Sequence, residues 1–159
     1  MKNQRKLSKI DSNILRLLQE NGRISYAELA RQVGLTTTPC MERVKRMEKE
    51  GVIKGYSARL DPVYLEADLV VFVQIRLSRT SQDIFEEFKD AAIALNEVQE
   101  CYLVSGNFDY LIKARVADMS AYREFLGETL LTLPGVQEST SYVVMEQVKE
   151  TLNITIPYR

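Results

Sequence analysis

Apolar positions in the first third of the chain recur with the period of an α-helix. In residues 7–20, Ile10 and Ile14 lie on one stripe with neighbouring leucines, and Ser8 with Asp11 makes a capping box at the start of the stripe. This pattern predicts an amphipathic helix that turns one face towards a core and the other towards solvent.

Two further helices are predicted after short turns. A second capping box begins at Ser25 and opens a helix of about eight residues, which Gly34 ends. Thr38 is expected to cap a third helix that starts at Pro39 and runs to about Glu50, because proline at the first helical position loses no hydrogen bond. This order of elements is typical of a helix-turn-helix.

A strand-like stretch at 52–60 follows the third helix and ends at the dipeptide Asp61-Pro62. Three helices and a β element together predict a winged helix-turn-helix. We therefore assign residues 1–62 to a DNA-binding domain that includes a wing and a hinge strand.

The remainder of the chain alternates between strand-like and helix-like patterns. The predicted order is strand 69–77, helix 82–95, strands 98–105 and 110–116, helix 120–132 and strand 136–148. This βαββαβ order predicts a ferredoxin-like domain over residues 63–159, with both helices on one face of an antiparallel sheet. The fold class of the whole chain is therefore α+β.

The predicted sheet is apolar on both faces. In its first strand Val71 and Val73 can face the helices, yet Val70 and Phe72 on the opposite side are apolar too. An apolar sheet face needs a cover, and no further helix remains in the chain to supply it. We therefore expect a second copy to cover this face, which predicts a homodimer at minimum.

Charge is distributed unevenly, although the net charge of the whole chain is only −1. Residues 1–62 contain 13 lysines and arginines against 7 acidic residues, whereas residues 63–159 contain 8 against 15. A charged helix face is usually only solvated surface. Because the basic excess coincides with the helix-turn-helix pattern and with threonines at the start of the third helix, we interpret it as a double-stranded DNA-binding surface.

The predicted DNA-binding residues fall into two groups. Arg43 and Arg46 are expected to reach base edges, with Thr37, Thr38 and Glu42 beside them. The residues expected to contact phosphates are Lys45, Lys49, Lys54, Arg5 and Lys6.

The chain contains no histidine, which excludes Ser-His, Cys-His and His-metal chemistry. It also lacks the phosphate-binding, metalloprotease and hydrolase motifs, so we expect neither an enzyme, nor a cofactor, nor a metal site. Cys40 and Cys101 are expected to be reduced, packed thiols. No apolar run approaches the length of a membrane span, and the cytoplasm is the expected location.

The turn at 105–110 is a candidate ligand site. Its backbone amides near Gly106 and the carboxylate of Asp109 would suit the carboxylate and the ammonium of an α-amino acid. An ordinary hairpin turn explains the glycine and the asparagine equally well, so the residues alone leave both interpretations open.

Motifs along nearly the whole chain resemble those of the Lrp/AsnC, or feast/famine, regulators. In the first domain they include Ala27-Glu-Leu-Ala, Thr38-Pro-Cys-Met-Glu-Arg-Val-Lys-Arg and Gly51-Val-Ile-Lys-Gly-Tyr. In the second they include Val104-Ser-Gly-Asn-Phe-Asp-Tyr-Leu, Leu133-Pro-Gly-Val and Tyr142-Val-Val-Met-Glu.

The resemblance implies a transcriptional regulator of amino-acid metabolism genes that associates with the nucleoid. It also implies dimers that assemble into octamers or similar rings, and an amino-acid effector such as leucine. The effector-binding residues it implies are Leu103, Gly106, Asn107, Asp109, Tyr110, Met119, Tyr142, Val143 and Val144. The alternative is an RNA-binding protein, because RNA recognition motifs share the ferredoxin-like topology, although their aromatic signature is missing from 110–116.

Overall fold

The computed structural model describes residues 7–78 and 81–157. The chain divides into two compact units: the first takes the residues up to 59 together with those from 150 onwards, and the second takes residues 60–149. The first boundary lies close to the one expected at residue 62. The C-terminal residues, however, were expected in the second domain and cluster with the first unit.

The first unit contains three helices: α1 (Lys9–Glu20), α2 (Tyr26–Val33) and α3 (Thr37–Lys49). Both predicted capping residues begin their helices. The Ser8 side chain accepts from the Asp11 amide in a reciprocal capping box, and the Ser25 side chain accepts from the Glu28 amide. Gly34 ends α2 in the left-handed conformation (φ 71°), which glycine adopts without steric cost.

Two local predictions in this unit are wrong. Thr36, and not Thr38, is the N-cap of α3, so Thr38 is the second residue of the helix and Pro39 the third. Residues 52–60 form no strand, and Val52, Tyr56 and Leu60 are exposed there. A strand needs a hydrogen-bonded neighbour, and no described segment pairs with this one.

The core of the first unit lies where the three helices meet. Ala30 is 2 % exposed, as expected for a small residue where α2 approaches its neighbours closely. The buried apolar residues are Ile14, Leu29, Ala30, Cys40, Val44 and Met47. Burial raises the pKa of the Cys40 thiol, which is a packed free thiol as predicted.

The second unit contains β1 (Leu69–Leu77), α4 (Gln82–Ile93), β2 (Val98–Leu103), β3 (Tyr110–Val116), α5 (Met119–Glu124) and β4 (Val136–Val143). The strands form one antiparallel sheet in the order β2-β3-β1-β4, the order expected of a ferredoxin-like fold. The second helix departs from the prediction, because α5 passes into a π-helical turn at Phe125–Thr129 and a 3-10 turn at Leu130–Thr132. The last strand also ends at Val143, earlier than the predicted residue 148.

One sheet face packs against the helices to form the core of this unit. Val71, Val73 and Ile75 of β1 are fully buried there, as predicted. Gly135, between the last helical turn and β4, has φ 74°, and a Cβ atom at this position would lie 2.6 Å from the Ile84 side chain. Any other residue would therefore be strained here and would also displace α4 from the sheet.

The opposite sheet face, which we call the open face, has no helix over it within the described chain. Val70 and Phe72 of β1 lie on it beside Leu111 of β3, since cross-strand partners share a face. Tyr142 of β4 pairs with Phe72 on the same face and is half exposed. The two-sided apolar character predicted for the sheet is therefore present.

Candidate DNA-binding and effector-binding sites

The outer face of α3 is the exposed side of the helix-turn-helix. Cys40, Val44 and Met47 turn inwards and are buried. On the opposite side four residues with helical spacing are exposed and form what we call the α3 stripe: Thr38, Glu42, Lys45 and Lys49. Thr37 is exposed beside the start of this stripe.

The N-terminus of α3 is suited to an anion. No side chain caps it among the described residues, and the hydroxyl-bearing residues Thr36, Thr37 and Thr38 are all exposed there. The first amides of a helix have no partner within the helix, and the helix dipole places partial positive charge at this end. A DNA phosphate or a base-edge acceptor would satisfy both.

Arg43 and Arg46 do not belong to this exposed stripe. Each guanidinium lies 3.0 Å from Oδ1 of Asp11 on α1, and the two side chains are 31 % and 34 % exposed. This corrects the expectation that they reach base edges, because the same arginine cannot hold a buried carboxylate and a base. We call the group of Asp11, Arg43 and Arg46 the Asp11 clamp.

The Asp11 carboxylate is 5 % exposed and fully used. Oδ1 accepts from both arginines, while Oδ2 accepts from the hydroxyl of Ser8 at 2.7 Å and from its amide at 3.3 Å. Burial alone would raise the pKa of Asp11, but the hydrogen bonds from Ser8 and Arg43 and the charge of Arg46 outweigh it and lower the pKa. The carboxylate is therefore ionised and fastens α3 to α1.

Sequence reasoning missed the clamp because Asp11 had a sufficient local role in the capping box. The available signal was the spacing of Arg43 and Arg46, which flank the buried Val44 and Met47 and so lie next to the core. Lys54 is exposed beyond the helix, as a phosphate contact requires. Arg5 and Lys6 lie outside the described residues.

The residues expected to bind the effector divide into two groups at opposite ends of the sheet. Ile75 of β1 pairs with Tyr110, whereas Val71 pairs with Val143. Four residues of β-strand span about 13 Å. Leu103, Gly106, Asn107, Asp109 and Tyr110 lie at one end, and Met119, Tyr142, Val143 and Val144 lie at the other.

The turn between β2 and β3 is held firmly in place. Asp109 Oδ2 accepts the Leu77 amide at 2.7 Å, and the Arg76 guanidinium donates to the carbonyl oxygen of Asn107 at 2.6 and 3.1 Å. Within the described chain, Oδ1 of Asp109 has no hydrogen-bond partner. The turn therefore presents one carboxylate oxygen and the backbone around Gly106 in a fixed geometry.

The other end of the sheet contains a cavity of about 460 Å³. Its apolar wall includes Leu69, Val70, Met119 and Val144, while Asp118 and Glu146 contribute carboxylates to its rim. Asp118 also caps α5 through the amides of Ser120 and Ala121. Only Met119 and Val144 of the predicted effector residues line this cavity.

Tyr110 is not accessible to an effector. Its side chain is 2 % exposed and lies under the helices, with its ring stacked on Phe88 at 4.4 Å between centroids. Sequence alternation could not place it, because the turn and the strand start at the same residue. Leu103 lies at the edge of β2 opposite Tyr110, and Val143 shares the helix-facing side with its partner Val71.

Two family descriptions match the chain in the order of its two units. The winged helix-turn-helix DNA-binding family matches residues 7–54, and the Lrp/AsnC ligand-binding domain matches residues 70–154, which is more than half of the chain. The chain belongs to the Lrp/AsnC family.

Several relatives of this Lrp/AsnC regulator are named or solved. The leucine-responsive regulatory proteins of Escherichia coli (strain K12) and Klebsiella pneumoniae are each 58 % identical over 153 residues, which is 96 % of this chain and 93 % of theirs. The crystal structure of a Neisseria meningitidis transcriptional regulator in complex with L-Met superimposes with a TM-score of 0.90 at 35 % identity, covering 94 % of this chain and 97 % of that one.

This Lrp/AsnC regulator is therefore a DNA-binding transcription regulator with a ligand-binding domain, as the motifs predicted. Its relatives are named as regulators, in agreement with the expectation that it is not an enzyme. The RNA-binding alternative is wrong, because the one aromatic ring of β3 is the buried Tyr110 and its open face carries Leu111, Lys113 and Arg115 instead. Among the described residues, no helix is long and apolar enough to cross a membrane.

Proposed function

We propose that the α3 stripe reads double-stranded DNA in the major groove. Thr37, Thr38 and Glu42 lie at the base edges, and Lys45, Lys49 and Lys54 contact the phosphates. The observation that carries this proposal is the exposure of the uncapped α3 N-terminus together with Lys45, opposite a buried face. A regulator bound to DNA in this way acts in the cytoplasm, at the nucleoid.

Replacement of Lys45 tests this proposal. Lys45→Ala should weaken binding to a duplex selected from a random pool by about tenfold and should reduce the log-log salt slope by about 0.9, because one phosphate contact is lost. Fluorescence anisotropy at four salt concentrations measures both quantities. Lys89→Ala removes the same charge from an exposed site on α4 and should leave both unchanged. An unaltered slope in Lys45→Ala would refute the orientation of α3.

The open face is the surface through which two copies associate in this proposal. It presents Val70, Phe72, Leu111 and Tyr142, more apolar surface than a solvated sheet face carries. With the β1 strands of two copies antiparallel, the turn at Gly106 of one copy approaches the Val144 end of the other. Association would thus unite the two groups of effector residues, and repeated contacts between dimers would build the octamer.

The effector in this proposal is an aliphatic amino acid such as leucine or methionine. Support comes from the leucine-responsive relatives and from the L-Met complex of the Neisseria regulator. Asp109 Oδ1 is placed to accept the α-ammonium, and the backbone near Gly106 to bind the α-carboxylate. The apolar wall at Met119 and Val144 suits an unbranched or branched aliphatic side chain.

Asp109→Asn separates the charge of this residue from its structural role. The amide oxygen of asparagine still accepts the Leu77 amide, but the negative charge is lost. We expect the affinity for L-leucine or L-methionine to fall about 10-fold to 100-fold, the worth of a hydrogen bond to a charged group. Isothermal calorimetry measures this affinity, and DNA binding without amino acid should be unaffected.

The matched control is Asp90→Asn, which makes the same change at an exposed position of α4. It should bind both amino acids as the unaltered protein does. Equal affinities in the two variants would place the ammonium site elsewhere.

A further inference from the structure

The C-terminal residues 150–157, which we call the tail, belong to the first unit although they follow the last strand of the second. The chain therefore passes between the units twice, once at residues 59 and 60 and once at residues 149 and 150. A single linker would leave the DNA-binding unit free to rotate about one point. A second connection restricts that freedom wherever the tail is bound.

Gln19 of α1 binds the tail through its backbone. Its Nε2 donates to the carbonyl oxygen of Ile154 at 3.0 Å, and the Ile154 amide donates to its Oε1 at 2.7 Å. One side-chain amide thus pairs with both polar groups of one residue, in the manner of a β-ladder partner. Such a contact recognises an extended backbone rather than a side chain.

Arg16, one helical turn before Gln19, extends the same docking surface. Its guanidinium donates to the carbonyl oxygens of Ile156 at 3.1 Å and of Pro157 at 3.2 Å, and it is oriented by Asn13 Oδ1 at 2.7 Å. Residues three apart share one face of a helix, so Arg16 and Gln19 form a continuous binding site on α1.

The tail is held by hydrogen bonds and not by a core. The side chains of Leu152 and Ile154 are 80 % and 76 % exposed. Little apolar surface is therefore buried on docking, and the contact is of a kind that opens and closes without unfolding the helices.

The helix that receives the tail is also the one that holds α3. Asp11 of α1 binds Arg43 and Arg46. At its other end the tail continues directly from β4 and Val144, which lines the cavity at that end of the sheet. Sequence and contacts thus connect the ligand-binding unit to the recognition helix in few steps.

We propose that α1 carries a reversible docking site for the tail, formed by Arg16 and Gln19, and that tail docking transmits ligand occupancy to the DNA-binding unit. The second half of this inference rests on the proposed effector site. The first half does not, because it concerns only residues within the first unit.

Gln19→Ala tests both halves in the full-length protein. Loss of one backbone-pairing side chain should make the Ile154 amide exchange about tenfold faster in hydrogen exchange, the factor that a single hydrogen bond contributes. Calorimetry with L-leucine and L-methionine should give unchanged affinities. The change in DNA affinity that these amino acids cause should shrink to less than half of its value in the unaltered protein. Gln32→Ala, on the exposed face of α2, is the matched control.

Each other outcome overturns part of the inference. An unchanged exchange rate at Ile154 would show that the tail does not dock on Gln19. Faster exchange with a DNA response equal to that of Gln32→Ala would show that docking carries no signal. If neither amino acid binds the unaltered protein, the effector proposal and the transmission both fail, while the exchange rates still decide whether the tail docks.

Discussion

Asp11→Ala is expected to destabilise the DNA-binding unit by about 2 to 3 kcal/mol, because it leaves two guanidinium groups without their shared carboxylate and removes half of a capping box. The cost should fall short of that for a fully buried ion pair, since Arg43 and Arg46 remain about one-third exposed. Denaturant titration with hydrogen exchange at α1 and α3 as the readout measures the loss. DNA affinity should fall with it, since α3 loses its anchor to α1.

Two further variants separate the clamp from a general loss of surface ion pairs and from a direct phosphate contact. Glu28→Ala removes an exposed ion pair with Arg31 on α2 and should leave the unfolding midpoint unchanged. Arg46→Ala should lower stability and DNA affinity without reducing the salt slope, because this arginine acts through Asp11 and not on a phosphate. A reduced slope in Arg46→Ala would instead return this residue to the DNA interface.

The clamp also has a pH dependence of known sign. The folded pKa of Asp11 is lowered, so its contribution is fully present above the unfolded pKa of about 3.9 and is lost as pH falls through the folded value. The unfolding free energies of the unaltered protein and of Asp11→Asn should therefore differ at neutral pH and converge below about pH 4. Curves that stay parallel down to low pH would contradict this assignment.

Phe72→Arg is expected to convert the assembly to monomers. Phe72 lies on a central strand of the open face, between Tyr142 of β4 and Lys113 of β3. An arginine there would have to be desolvated beside an existing cation, and in a symmetric contact the change occurs twice. We expect the dissociation constant of the dimer to rise about 100-fold or more, measured by analytical ultracentrifugation over a range of concentrations.

The control for this variant is Asn96→Arg, which adds the same charge at an exposed position after α4. It should sediment as the unaltered protein does. Thermal unfolding of Phe72→Arg reports whether the monomer is folded. A dimer that persists at the lowest concentration would show that the open face is not the interface. Loss of the dimer should also weaken binding of L-leucine and L-methionine, since the two groups of effector residues would then remain apart.

Local signals in the sequence predicted most of the fold. The helix starts at Ser8 and Ser25 and the stop at Gly34 depend on hydrogen bonds and on a backbone conformation within a few residues. The strand boundaries of β1 and β3 likewise match, because alternation of buried and exposed positions is a local property. Predictions that needed a distant partner were less accurate, and the missing strand at 52–60 is the clearest case.

The sequence by itself determined that this chain joins a basic helix-turn-helix to an acidic ferredoxin-like domain, and its motifs determined the family. Only the tertiary structure decided which cations of α3 are available to DNA. Helical spacing gives the direction of a side chain from its own axis, whereas the role of Arg43 and Arg46 depends on a carboxylate that another helix brings within 3.0 Å. The same reason applies to the tail, whose contacts with Gln19 and Arg16 join residues more than 130 positions apart in the chain.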